Sequence, residues 1–170
     1  MSNMVVFRAT QKLQQRMGAK AASEPLVPKS STRLGDWFAN LVIVRRPHVV
    51  LAVSGTTLLP VLIPAAPYKT MVPRLADGVG LVLRGLKIEE AKVVAEENAM
   101  RDHVITTTND RRVLGSMNDF TDMLDAYLDD RSLTEVALHL AESPCSPLGM
   151  QSPREATRAL FATPVLRVVR

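Results

Sequence analysis

Hydrophobic and polar positions alternate with two different periods along this chain, and the change between them divides it into a strand-rich and a helix-rich part. Residues 4–9, MVVFRA, form a short apolar run that predicts a strand. Thr10 then offers a cap for TQKLQQRM, where Leu13 and Met17 lie four apart on one helical face. Three more strands are predicted in close succession: DWFANLVIV (36–44), HVVLAVS (48–54) and TTLLPVLIP (56–64), turning at RRPH and at Gly55. The middle one is apolar on both faces, which predicts a central strand covered twice. Pro60 places the third at an edge or a bulge, because proline cannot donate to a ladder.

After PAAPYKT the period becomes helical. Met71, Leu75, Val79 and Val82 make one stripe that ends at Gly85; Ile88, Ala91, Val94 and Ala95 make a second. HVITTT (103–108) returns to β-branched character and predicts a further strand. Beyond it Met117, Phe120, Met123, Leu124, Tyr127 and Leu128 share one helical face, opposite an acidic row of Asp119, Asp122, Asp125 and Asp129. Serine with an acid three residues later predicts the start of this helix (Ser116, Asp119) and of two more: Ser132 with Glu135, and Ser152, Pro153 and Glu155. The expected fold is α+β: an antiparallel sheet of about four to five strands, with helices packed mainly on one face. One domain spans 1–170, with a flexible connection over 18–32, where Gly, Ala, Ser, Pro and Lys dominate, and a helical C-terminal extension over 131–170.

Composition narrows the function classes. A chain of 170 residues with 46% apolar side chains can bury a core without covalent staples. Cys145 is the single cysteine, so an intrachain disulfide is excluded and nothing suggests a cysteine zinc site. The N-terminus lacks the long apolar run of a signal peptide, and the expected location is cytoplasmic. The uncharged stretch 47–68 is broken by Pro47, Pro60, Pro64 and Pro67, which favours two strands over a membrane span. Charge is lopsided. Residues 1–87 carry a balance of +9 and residues 88–170 one of −5. A basic N-terminal half can attract protein or nucleic acid, although few aromatic residues and no Lys/Arg run longer than two make a stacking platform or a basic tail hard to build.

Four polar groupings are candidates for chemistry. NDRRVLGS, with Asn109, Asp110, Arg111, Arg112 and Ser116, has the ingredients of an anion site, but GxxxxGK[ST] and GxGxxG are absent and the structural reading is a helix start. RLGDWFAN brings Arg33, Asp36 and Asn40 around Trp37. These residues either line a polar site together with NDRR or lock the entrance of a strand through an Arg–Asp pair and a buried indole. The acidic row lacks a histidine and reads as a solvated face, so no metal and no cofactor is expected. Cys145 has no recognisable histidine partner and reads as an idle thiol.

The segments FRATQKL, DWFANLVIVRR, SGTTLLPVL and TTTNDRRVLGSMNDF, in that order over residues 4–130, resemble an uncharacterised bacterial domain family, some members of which accompany plasmid and mobile-element proteins. The family usually has a cysteine where this chain has Ala9. The resemblance implies a shared fold and supplies no catalytic residues. The leading expectation is a binding or interaction module, accessory to a mobile element, centred on Arg45, Arg46, Arg111 and Arg112. The alternative is a small enzyme or phospholigand-binding protein using Arg33, Asp36, Asn40, Asn109, Asp110 and Ser116.

Overall fold

The computed structural model describes residues 3–43, 47–128 and 131–162. In chain order the elements are β1 (Met4–Ala9), α1 (Gln11–Met17), β2 (Trp37–Val42), β3 (Val49–Ser54), β4 (Pro60–Pro64), α2 (Met71–Gly85), α3 (Glu90–Ala99), β5 (Asp102–Thr107), α4 (Arg111–Leu124), α5 (Leu133–Leu140) and α6 (Pro153–Ala162).

The strands form one sheet in the order β4-β3-β2-β1-β5. β2, β3 and β4 are the antiparallel meander read from the sequence, with Asn40 opposite Leu51 and Leu51 opposite Leu62. β3 is buried throughout and Pro60 lies in the edge strand β4, both as expected. The expectation of a purely antiparallel sheet is corrected at β1, which runs parallel to β2 (Phe7 beside Trp37) and parallel to β5 (Phe7 beside Ile105). The long connections 10–36 and 71–101 permit this, because a parallel return needs a crossover and cannot be made by a tight turn.

Helices cover both faces, which corrects the second half of the expectation. Side chains of successive strand residues alternate between faces. Phe7, Trp37, Ala39, Val50, Ala52, Val61 and Ile63 point into a core with Leu13 of α1, with Met71, Leu75, Val79 and Leu83 of α2, and with Phe161 of α6. Phe38, Leu51, Val53 and Leu62 point the other way, against Val113, Met117, Phe120 and Leu124 of α4 and Val136 and Leu140 of α5. Each fully buried large apolar side chain contributes about 1.5–3 kcal/mol.

α2 follows its predicted stripe and approaches the sheet closely at Gly78, where a Cβ would meet Ile63 Cγ2 at 2.9 Å and Val61 Cγ1 at 3.0 Å. Arg84 forks between Glu90 and Glu97 and ties α2 to α3. α3 is turned relative to the stripe expected for it: Val93 and Glu96 are buried, whereas Ala91, Val94 and Ala95 are exposed. The orientation is set by Glu96, whose carboxylate accepts the backbone N–H groups of Arg33 (2.9 Å) and Leu34 (3.0 Å). A polar anchor therefore outweighs the apolar pattern of the helix. Burial is the main cause that raises the carboxyl pKa of Glu96 above its ordinary value, against the lowering effect of the two N–H donors.

The 18–32 connection is hydrogen-bonded to β5 and to the first half of β1. Ala22 donates to Ile105 O, Ser31 N–H to Met4 O, and Val6 N–H to Ser30 Oγ. Among the described residues no helix is long and apolar enough to cross a membrane. The 47–68 stretch forms β3 and β4 with their turn, where Leu58 takes a φ of 60°.

Candidate functional site

α4 begins earlier than its sequence suggests. Its N-cap is Asp110, whose Oδ1 accepts the N–H of Arg112 at 2.9 Å, and Ser116 lies in the second turn instead of at the start. The Ser116–Asp119 capping box is thereby corrected. Asp110 can cap because Asn109 and Asp110 follow directly on β5, and a short carboxylate there reaches the first free N–H groups. Burial works against its charge, but hydrogen bonds from Arg112 outweigh this and hold its pKa below the ordinary value. The other two predicted starts stand: Ser132 Oγ accepts from Glu135 N–H, and Ser152 Oγ accepts from Glu155 N–H, both at 3.1 Å.

A consequence is that Asp110 occupies the Arg112 N–H and sets its own carboxylate at the N-terminus of α4, where it repels an anion that would use this end as a cradle. What remains is the side of the helix. Arg111, Arg112, Gly115, Ser116, Asp119, Phe120 and Met123 form one wall of a cavity of about 410 Å³, and the segment Ser143–Pro147 forms the other. Arg111 has no hydrogen-bond or ion-pair partner among the described residues, and Arg112 pairs with Asp110 at 3.4 Å while remaining 70% exposed. Ser116 is 5% exposed and its hydroxyl also has no partner there. A helical serine can bond back to the carbonyl four residues earlier, as Thr121 does here to Met117 O at 2.8 Å, or leave its hydroxyl outward, as Ser116 does. Gly115 opens the same wall, since a Cβ on it would meet nothing within 4 Å.

Cys145 closes the floor. It is 8% exposed, and burial, with a smaller contribution from the Asp119 carboxylate, raises its thiol pKa. That is the opposite of what a nucleophile needs. Asp119, Asp122 and Asp125 are exposed, Asp129 lies outside the described residues, and among the described residues no group of His, Cys, Asp and Glu could hold a metal ion.

The second sequence candidate is used differently. Asp36 Oδ2 accepts from Arg8 Nε at 2.7 Å and its Oδ1 from Ser30 Oγ at 2.7 Å. Asn40 Oδ1 accepts from Thr10 Oγ1 at 2.7 Å. Arg33 lies over the Phe161 ring, 5.6 Å from its centroid. Trp37 is fully buried, and its indole N–H finds no acceptor among the described residues. The strand-entrance lock is therefore present, with Arg8 as the arginine. Arg8 also donates from NH1 to Thr107 O at 3.0 Å, linking RLGDWFAN to the strand that leads into NDRR. Arg33, Asp36 and Asn40 do not line the α4 cavity, Asn109 is exposed beside it, and Arg45 and Arg46 lie outside the described residues.

Sequence reading missed Arg8, Asp119 and Cys145 as parts of these sites. Arg8 was detectable as the one charge inside an apolar strand. The meeting of SPCSP with α4 has no local signal, because 27 residues separate Ser116 from Ser143.

No curated protein and no solved structure matches the chain. The model of one family, DUF6933, a domain of unknown function, matches residues 6–156, which covers most of the chain and runs from β1 into α6. The order of motifs, the fold built on them and this match lead to one conclusion: the chain belongs to the DUF6933 family.

Proposed function

We propose that the protein is a binding module that recognises a compact anionic group, on a small ligand or a partner protein, through Arg111 and Arg112 on the side of α4. The observation that carries this reading is that the Arg111 guanidinium, without a hydrogen-bond or ion-pair partner among the described residues, shares the wall of one cavity with Arg112 and the Ser116 hydroxyl. Charge on the rest of the helix limits the partner. Asp119 and Asp122 follow the arginines along α4, so an extended polyanion laid on this helix meets repulsion after its first turns. A compact anion does not. Two features favour binding over nucleophilic chemistry: the thiol in the cavity is held protonated, and Asp36 and Asn40 are engaged by Arg8, Ser30 and Thr10.

The test is titration of the full chain with inorganic phosphate, and separately with a short DNA duplex, at several salt concentrations. Saturable phosphate binding that is lost in the Arg111→Ala/Arg112→Ala double variant supports the reading. Phosphate binding indifferent to both arginines, or tighter duplex binding with a steep salt dependence, refutes it.

A further inference from the structure

The α4 cavity has a polarity gradient that says more about its occupant than charge alone, and the inference drawn from it rests on the anion-binding reading above. From Arg111 to Met123 the wall runs for about 18 Å at the helical rise. It is cationic at one end, carries the Ser116 hydroxyl and the gap at Gly115 in the middle, then presents the Asp119 carboxylate, and ends on Phe120 and Met123. Asp119 stands seven residues beyond Arg112, about 10 Å along the axis.

A bare anion would use the arginines and be repelled by Asp119. A ligand whose anionic head is followed by hydroxyl donors satisfies all three polar positions. Its head pairs with a guanidinium, its chain exchanges a hydrogen bond with Ser116, and its terminal hydroxyls donate to the carboxylate, which accepts only. The apolar end accepts the carbon backbone of such a ligand.

We propose that this cavity is a binding site for a small hydroxylated anion of the sugar-phosphate or sugar-acid class, held by Arg111 and Arg112 at its charged head, by Ser116 at its middle and by Asp119 at its hydroxyl end. The volume of about 410 Å³ lies in the range that small-ligand sites occupy. Ser116 lines the cavity with a hydroxyl that has no hydrogen-bond partner among the described residues and stays accessible for a ligand to engage.

The experiment is a two-dimensional amide NMR titration of the full chain with ribose 5-phosphate, gluconate and inorganic phosphate. Expected are saturable shifts confined to residues 111–123 and 143–147, with ribose 5-phosphate or gluconate binding about tenfold tighter than phosphate; which of the two wins identifies a phosphate or a carboxylate head. Asp119→Ala removes that advantage while leaving phosphate affinity equal or higher. Gly115→Leu fills the cavity and abolishes binding with the fold intact, because its side chain enters open space. Ser116→Ala weakens the hydroxylated ligand without lowering thermal stability, a combination that a purely structural serine would not give. If both hydroxylated anions bind no better than phosphate, or Asp119→Ala reduces all three equally, this inference falls and anion recognition stands. If the arginine double variant leaves phosphate binding unchanged, anion recognition itself falls.

Discussion

Arg8 Nε lies 2.7 Å from Asp36 Oδ2, joining the C-terminal end of the parallel strand β1 to the entrance of β2. The same guanidinium pairs with Glu24 at 3.0 Å and reaches Thr107 O, so one 5% exposed arginine gathers the connection 18–32, β2 and β5. Burial opposes its charge, but the bonds to Glu24 and Asp36 outweigh this and raise its pKa. Arg8→Ala leaves Asp36 without its cation, and the expected loss is about 3 kcal/mol of unfolding free energy, read from urea denaturation. Arg8 also holds the Glu24 carboxyl below its ordinary value. A depressed carboxyl stabilises the fold above its unfolded pKa and loses that contribution as pH falls through the folded one. The wild type should therefore lose ground to Arg8→Ala below about pH 4.5, the reference value for Glu24.

Glu96 predicts the opposite slope. Its carboxyl pKa is raised in the fold, chiefly by burial, so the folded state binds the proton more tightly than the unfolded one. Stability from this group is complete below pH 4.5 and declines as pH rises through the raised pKa. Glu96→Gln cannot titrate. The stability difference between wild type and variant, followed by chemical denaturation between pH 4 and pH 8, should move against the wild type as pH rises; a flat difference would contradict the burial of the carboxylate.

Two glycines on helices should respond in opposite directions to the same substitution. Gly78→Ala places a methyl group against Ile63 and Val61, and overpacking of about 1–3 kcal/mol exceeds the gain of about 1 kcal/mol in helix propensity. Gly115→Ala enters open space and keeps that gain. Thermal unfolding of the two variants should give a lower Tm for the first and a higher Tm for the second.

The true start of α4 can be located by mutation. Asp110→Ala removes the cap and should cost about 1 kcal/mol, while Ser116→Ala should cost nothing. The reverse order would restore Ser116 as the cap. The benefit of Asp110 should also fade under acid, beginning as pH falls below 3.8 and ending as it passes through the depressed pKa of the folded state.

Cys145 should be slow to alkylate. A thiol whose pKa burial raises above the ordinary 9.0, and which is 8% exposed, holds little thiolate at pH 7–8, and reaction with iodoacetamide in the native protein should trail a free cysteine by about tenfold or more. Denaturation in urea should abolish the difference.

The sequence by itself determined the elements whose cause is local. The meander of β2, β3 and β4, the edge position of the Pro60 strand, the stripe of α2 and the capped starts of α5 and α6 all follow from periodicity, turn residues and caps within a few positions of one another. Tertiary structure decided everything that depends on residues far apart. β1 became parallel to two neighbours because the connections at 10–36 and 71–101 are long enough to cross the sheet, and α3 turned its Glu96 inward because Arg33 and Leu34 offered N–H donors from 63 and 62 positions away. Asp110 took the cap of α4 from Ser116 because β5 ends just before it, which freed the serine to face a cavity closed by Ser143–Pro147. A helical period fixes which side chains share a face. The choice of what that face meets is made by the free energy of burying and pairing groups that the chain brings together only on folding.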